Sequence, residues 1–245
     1  MSDLQTMKTQ LLRNVHIDST TTGSKADSDV TIAIIDAIRH NRRFHFWFTE
    51  KNGHILTEAN KWKYDLPTDF IGLLSDPFFI DGDMDSDFRN QLTRETWEWM
   101  NQHYNRAAEW ETSINLGSPR RYYLDLTEKE IWLLPVPQDS GNQILFRYNK
   151  DCGTPSYKYT GSAWAFYKPD SEDTLPSTFT NEWFDEGYNL TYLRAAYNLW
   201  TAPYGGTQEA MQNVQMFLQQ WAEELNRLRG ETQVRGSQYA IRRHI

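Results

Sequence analysis

Paired carboxylates are the first chemistry that this 245-residue sequence offers. Glu95, Glu98, Glu109 and Glu111 lie among Trp97, Trp99 and Trp110. Glycoside hydrolysis needs two well-placed carboxylates, and aromatic rings beside them would suit a sugar. With 33 acidic residues in the chain, however, neighbouring acids arise often by chance. A second acidic run, Asp81, Asp83, Asp85 and Asp87 around Gly82, loosely resembles a calcium loop. An EF-hand loop places glycine sixth and a bidentate glutamate twelfth, whereas counting from Asp81 gives Ser86 and Leu92. A solvated acidic loop is the expectation, with an opportunistic cation site as its alternative.

The remaining chemical signatures are weaker. Tyr204-Gly205-Gly206-Thr207 precedes a helical pattern but lacks the lysine of a phosphate-binding loop, so it reads as a turn between helices. Neither a Gly-x-Ser-x-Gly elbow nor a His-Glu-x-x-His pair occurs. The six histidines (His16, His40, His45, His54, His103 and His244) show no metal-ligand spacing. Cys152 is the single cysteine, which rules out an intrachain disulfide and a Cys-rich metal site. No catalytic residue, cofactor or metal is expected, and the chain reads as a structural protein, not an enzyme.

Charge and composition agree with protein partners. The net charge is −8, so the chain as a whole lacks the basic footprint of a general nucleic-acid binder. Hydrophobic residues make up 39% and charged residues 24%, which supports a packed core. Ten Trp and thirteen Tyr suit half-buried surfaces and interfaces. No apolar run approaches the roughly 20 residues of a membrane-spanning helix. Met1-Ser2-Asp3-Leu4 lacks the basic start of a secretory signal, and intracellular production is expected.

Helical spacing marks both ends of the chain. Leu4, Met7, Leu11 and Val15 form one stripe; Val30, Ile34, Ile35 and Ile38 form a second, starting near Ser24 to Ser28. Arg39, His40, Arg42 and Arg43 follow where positive charge complements the helix dipole. Phe184, Tyr188, Ala195 and Leu199 share a third face, ended by Pro203-Tyr204-Gly205-Gly206. Met211, Val214, Leu218, Trp221, Leu225 and Leu228 give a heptad-like seam, with Gly230 as its stop.

Between these ends the period becomes two. Phe44, Phe46 and Phe48 read as a strand, and Asn52-Gly53 reads as a hairpin turn. Ile55, Trp62, Tyr64 and Leu66 continue the alternation to Pro67; a short helix is expected over Thr93 to Tyr104. Further strands are expected at 122–126, 131–136 and 144–148, with a turn at Asp139-Ser140-Gly141-Asn142. A last hairpin takes Tyr157, Tyr159, Trp164 and Phe166 around Thr160-Gly161. The expected fold class is therefore α+β: an antiparallel helical bundle from both chain ends with an inserted antiparallel β subdomain. Its parts are N-terminal helices at 1–43, an insertion at 44–168, C-terminal helices at 169–230 and an extended arm at 231–245.

Several segments carry a resemblance in their order along the chain. They are Ile34-Ile35-Asp36-Ala37-Ile38, then Trp62-Lys63-Tyr64-Asp65-Leu66-Pro67-Thr68-Asp69-Phe70, then Gly117-Ser118-Pro119-Arg120-Arg121-Tyr122-Tyr123. Ile131-Trp132-Leu133-Leu134-Pro135-Val136-Pro137, Leu145-Phe146-Arg147-Tyr148, Leu175-Pro176 and Leu193-Arg194-Ala195-Ala196-Tyr197 complete the series. This set resembles the head-to-tail adaptors of tailed bacteriophages, particularly short-tailed ones, over about residues 25 to 200. The acidic loop at 81–87, the Trp-rich segment at 97–110 and the arginine-bearing tail depart from it.

The resemblance implies a virion protein at the capsid vertex, assembled in the host cytoplasm. Its implied partners are the portal protein, a tail or nozzle protein, tail fibres, and further copies of itself in a ring, usually of twelve. DNA would pass through the ring without sequence-specific binding. Arg235, Tyr239, Arg242, Arg243 and Ile245 on the C-terminal arm are the expected portal contacts. A tail-associated carbohydrate-binding module using exposed Trp and Tyr, or a cell-wall hydrolase, are the alternatives.

Overall fold

A computed structural model describes residues 2–14, 25–82, 89–104, 116–201 and 208–241. In chain order the elements are α1 (Leu4–Asn14), α2 (Lys25–Asn41), β1 (Glu50–Leu56), β2 (Lys63–Asp65), β3 (Phe70–Leu73), β4 (Phe78–Ile80), β5 (Arg89–Gln91) and β6 (Thr93–Arg94). There follow α3 (Trp97–Tyr104), β7 (Leu116–Gly117), β8 (Arg121–Asp125), β9 (Glu130–Leu134), β10 (Val136–Pro137), β11 (Gln143–Lys150), β12 (Ser156–Tyr159) and β13 (Trp164–Tyr167). The chain closes with α4 (Glu182–Asp185), α5 (Tyr188–Thr201) and α6 (Gln208–Ile241). The protein is a mixed α+β chain. It divides into two compact units, one of residues 1–49 and 151–245, the other of residues 50–150.

The first unit is built on the α2 stripe. Val30, Ile34, Ile35 and Ile38 are all fully buried, and α5 supplies Leu190, Ala195, Ala196 and Leu199 to the core that holds Val30, Ile34 and Ile38. Small Ala33 and Ala37 on α2 face this region, and the Ala33 carbonyl accepts from Asn198 Nδ2 on α5 at 3.4 Å. Helix α1 buries Leu4, Met7 and Leu11 as its spacing predicts. Its first free N–H groups are satisfied from afar: Leu4 N donates to the Phe179 carbonyl and Gln5 N to the Ser177 carbonyl. Lys8 Nζ meets Asp27 at 2.5 Å with both side chains largely buried, tying α1 to α2. Asn181 caps α4 by accepting from Trp183 N at 3.0 Å, which aims Trp183 and Phe184 into the core.

Phe44, Phe46 and Phe48 do not form the expected strand. Residues 47–49 make a single 3-10 turn, and Thr49 Oγ1 donates to the Phe46 carbonyl at 2.8 Å. The turn brings Phe46 and Phe48 side by side, stacked at 5.4 Å, with Trp183 edge-on to both. Burial against Trp183 outweighs the period-two pattern. The β12–β13 hairpin pairs Ser156 to Tyr159 with Tyr167 to Trp164, as its spacing predicts. It belongs to this same unit, since the Tyr157 hydroxyl donates to the Asp36 carboxylate of α2 and Cys152 is buried in the helical core. The two compact units divide at residues 49/50 and 150/151.

The second unit contains two main sheets. One has the order β1-β11-β4-β5, with β3 also paired to β11; the other has the order β2-β9-β8-β6. Their buried faces contribute to one cluster, with Phe79, Ile144, Phe146 and Tyr148 from the first and Tyr64, Tyr122, Ile131 and Leu133 from the second. Pairing is mostly antiparallel, but β6 runs parallel to β8 and β7 parallel to β10, which corrects the wholly antiparallel expectation.

Asn52-Gly53 is not a turn. Both residues lie in the middle of β1, opposite Arg147 and Phe146 of β11. The glycine is there for space: a Cβ at Gly53 would stand 2.6 Å from the buried Phe146 ring. Gly53→Ala should thus cost about 1–3 kcal/mol through overpacking, measured by urea unfolding.

Gly230 is likewise not a stop. Helix α6 continues through it, so residues 231–241 are helical where an extended arm was expected. Gly230 has no positive φ and its missing Cβ would meet nothing within 4 Å. A helix ends at glycine when the residue turns left-handed, and here the turn beyond is held by buried Thr232. Gly230→Ala should therefore stabilise the protein by about 0.5–1 kcal/mol in thermal or urea unfolding, and a loss of stability would place the helix end at 230.

Candidate interaction site

The seam read from α6 agrees with burial at Val214, Trp221, Leu225 and Leu228 and departs from it at Met211 and Leu218. Ala210, Phe217, Leu225 and Leu228 are buried, with Val214 and Trp221 partly so. Met211 and Leu218 lie seven residues apart on one face and remain 66% and 41% exposed. Phe217 takes the place in the core that the heptad assigned to Leu218. An apolar flank on α6 is left in solvent.

Further along α6, the stretch from Trp221 to Arg235 is tied to residues 40–49 by rings and cations. Trp221 Nε1 donates to Asn41 Oδ1 at 3.1 Å, and its ring packs against His40 and Phe44. The Arg229 guanidinium sits 4.8 Å from the Phe44 centroid. Trp47 N donates to Thr232 Oγ1 at 3.1 Å, and Thr232 donates in turn to the Leu228 carbonyl. Arg235 lies over the Trp47 ring at 3.6 Å. Of the expected portal contacts, Arg235 is thus exposed but stacked on its own unit, and Tyr239 falls within α6. Arg242, Arg243 and Ile245 lie outside the described residues, as do Asp83, Asp85 and Asp87, Glu109 and Glu111, and the turn at 203–206.

The second unit carries a separate aromatic surface. Trp62, Trp97 and Tyr123 each pack against the Trp132 ring, at 4.8, 5.7 and 5.1 Å between centroids. Lys63 Nζ lies over both Trp62 and Trp132, and Arg121 lies over Trp99. Trp97 is 49% exposed. Of the acids considered for catalysis, Glu95 is paired with Arg121 at 2.9 Å. Among the described residues, no group of three or more His, Cys, Asp or Glu side chains is placed to hold a metal ion. Among the same residues, no helix is long and apolar enough to cross a membrane.

Sequence reasoning missed ring–cation pairs whose members lie far apart in the chain, such as Arg229 with Phe44 and Arg235 with Trp47. Arg194 combines a near and a distant partner: it sits between the Tyr197 ring of its own helix at 4.6 Å and the Trp221 ring at 5.2 Å. Its period within α5 marked only a polar residue. Neither a protein-family model nor a curated protein matches this sequence.

His40 offers a direct check on this arrangement. Burial pushes its imidazole below the ordinary value of 6.5, and the Arg194 and Arg43 charges push it further in the same direction. The unfolded chain then takes up the proton first as pH falls. His40 should therefore reduce stability progressively below about pH 6.5 and cost nothing near pH 8. Urea midpoints at about pH 5 and about pH 8 should differ less in His40→Gln than in the native chain.

Proposed function

We propose that this chain is a structural head-to-tail adaptor, forming a ring between a portal and a tail component and lining a DNA channel. The ordered motifs from Ile34 to Tyr197 are the first support. The observation that carries the reading furthest is the α6 flank: a 34-residue helix whose Met211 and Leu218 stay exposed although the unit already has its own core. Exposed apolar side chains on one helix face suit docking against another helix. In this reading the finer architecture is a helical bundle from both chain ends carrying the β unit as an insertion. The −8 charge suits a channel wall that lets DNA slide, because a basic wall would hold phosphate through counterion release.

A carbohydrate-binding module is the second reading, favoured by half-exposed Trp97 on its aromatic bed. Loss of glycan-array binding in Trp97→Ala would select it.

The adaptor reading has a direct test. The purified chain should be monomeric or weakly associated alone and should form rings on a co-expressed portal, seen by electron microscopy. Met211→Asp with Leu218→Asp should abolish ring formation and leave the circular dichroism spectrum unchanged. Truncation after residue 241 tests Arg242, Arg243 and Ile245 without removing Thr232. Deleting all of 231–245 would also strip the acceptor from Trp47 N, and so would confuse binding with folding. Rings that persist in the doubly substituted chain would exclude the α6 flank as the contact.

A further inference from the structure

Helices α2 and α5 enclose a cleft of about 540 Å³ in the first unit. Its volume is that of a site for a side chain or a short peptide segment. The walls are polarised along α2. Asp29 lies toward the start of the helix, and Arg39, His40 and Arg43 gather at its end, opposite Arg194 on α5.

The acids and bases of this cleft are not matched. Asp36 is already occupied, accepting both the Tyr157 hydroxyl and Arg39. Arg194 is different: its Nε is buried and has no hydrogen-bond partner, and rings flank its guanidinium where a carboxylate would neutralise it. A desolvated guanidinium without a counter-ion is costly, and rings offset only part of that cost. Arg43, exposed nearby, makes no ion pair among the described residues. Both arginine charges act on His40 and push its imidazole down. The cations of α2 alone could be explained by the negative end of the helix dipole. Arg194 sits within α5, and that explanation does not reach it.

We infer that the cleft between α2 and α5 binds a carboxylate side chain of an acidic polypeptide segment, through Arg194 and Arg43. A polypeptide fits better than a nucleic acid for two reasons. The chain's charge of −8 repels a polyanion at long range, and Asp29 on the same wall repels one at short range. A single carboxylate on an apolar stem meets both obstacles with one charge only, and Ile32, Ala33 and Tyr197 line the cleft beside it. The inference stands on this one unit, and so it holds whether or not the chain assembles as a ring.

Calorimetric titration of the full chain at low salt, with a short Glu-Gly peptide, its Gln-Gly counterpart and inorganic phosphate, tests it. Saturable binding of the Glu-Gly peptide alone is expected, weakening with added salt. Arg194→Gln and Arg43→Gln should each weaken it about tenfold, the loss of one charge-assisted hydrogen bond. Arg120→Gln, in the other unit, should leave it unchanged. The His40 imidazole should titrate higher in the peptide complex than alone. Exposed Arg43 carries the test if circular dichroism shows that Arg194→Gln disturbs the fold. No saturable peptide binding, equal binding by the Gln-Gly peptide, or an affinity unchanged from the native chain in both arginine variants would overturn the proposal. So would arginine-dependent binding of phosphate without the peptide.

Discussion

Helix α2 cannot exist as a folded element by itself. Val30, Ile34, Ile35 and Ile38 cover one side of it, and every one of them is fully buried. Val30, Ile34 and Ile38 share their core with α5, which the chain reaches only after the whole second unit; Asn198 bonds Ala33 across 165 residues of sequence. Burying these four side chains is worth roughly 6–12 kcal/mol, comparable with the net stability of about 5–15 kcal/mol of an ordinary domain. The helical unit therefore depends on its two ends meeting. Helices α1, α4 and α6 are placed by what this pair leaves uncovered: α1 is fastened by Lys8 to Asp27, and α6 by Trp221 to Asn41.

That dependence explains which elements could be read in advance. The α1 and α2 stripes, the strand at 144–148 and the hairpin around Thr160-Gly161 are local patterns whose burial agrees with their period. Three other signals were equally clear and meant something else. The alternating phenylalanines serve one aromatic cluster because a 3-10 turn redirects them toward Trp183. Asn52-Gly53 fits a hairpin turn by itself, yet Phe146 needs the space above that glycine. Gly230 ends an apolar stripe, yet Thr232 and Arg235 hold the next turns against Trp47. In each case the deciding contact is with a residue far away in the chain, where local propensity carries no information.

The candidate site was legible to a similar degree. Arginines in the C-terminal segment stood out by composition, which brought Arg235 into view. Its actual surroundings did not, because Trp47 lies at the other end of the sequence. The seam on α6 was read correctly at Val214, Trp221, Leu225 and Leu228 and wrongly at Met211 and Leu218. Ala210 and Phe217 take those two places in the core, which leaves an apolar flank exposed over the first turns of the helix.

A common device links these features. Cations in the helical unit are repeatedly laid on rings: Arg229 on Phe44, Arg235 on Trp47, Arg194 between Tyr197 and Trp221. A salt bridge cancels a charge as it fixes a side chain. A ring fixes the side chain through its quadrupole and leaves the positive charge uncancelled. In a chain with 33 acidic and 25 basic residues, cations held this way stay available to an outside carboxylate while most of the surface repels one. The helical unit thereby gains local positive potential at the end of α2 without losing the packing that its two ends must share.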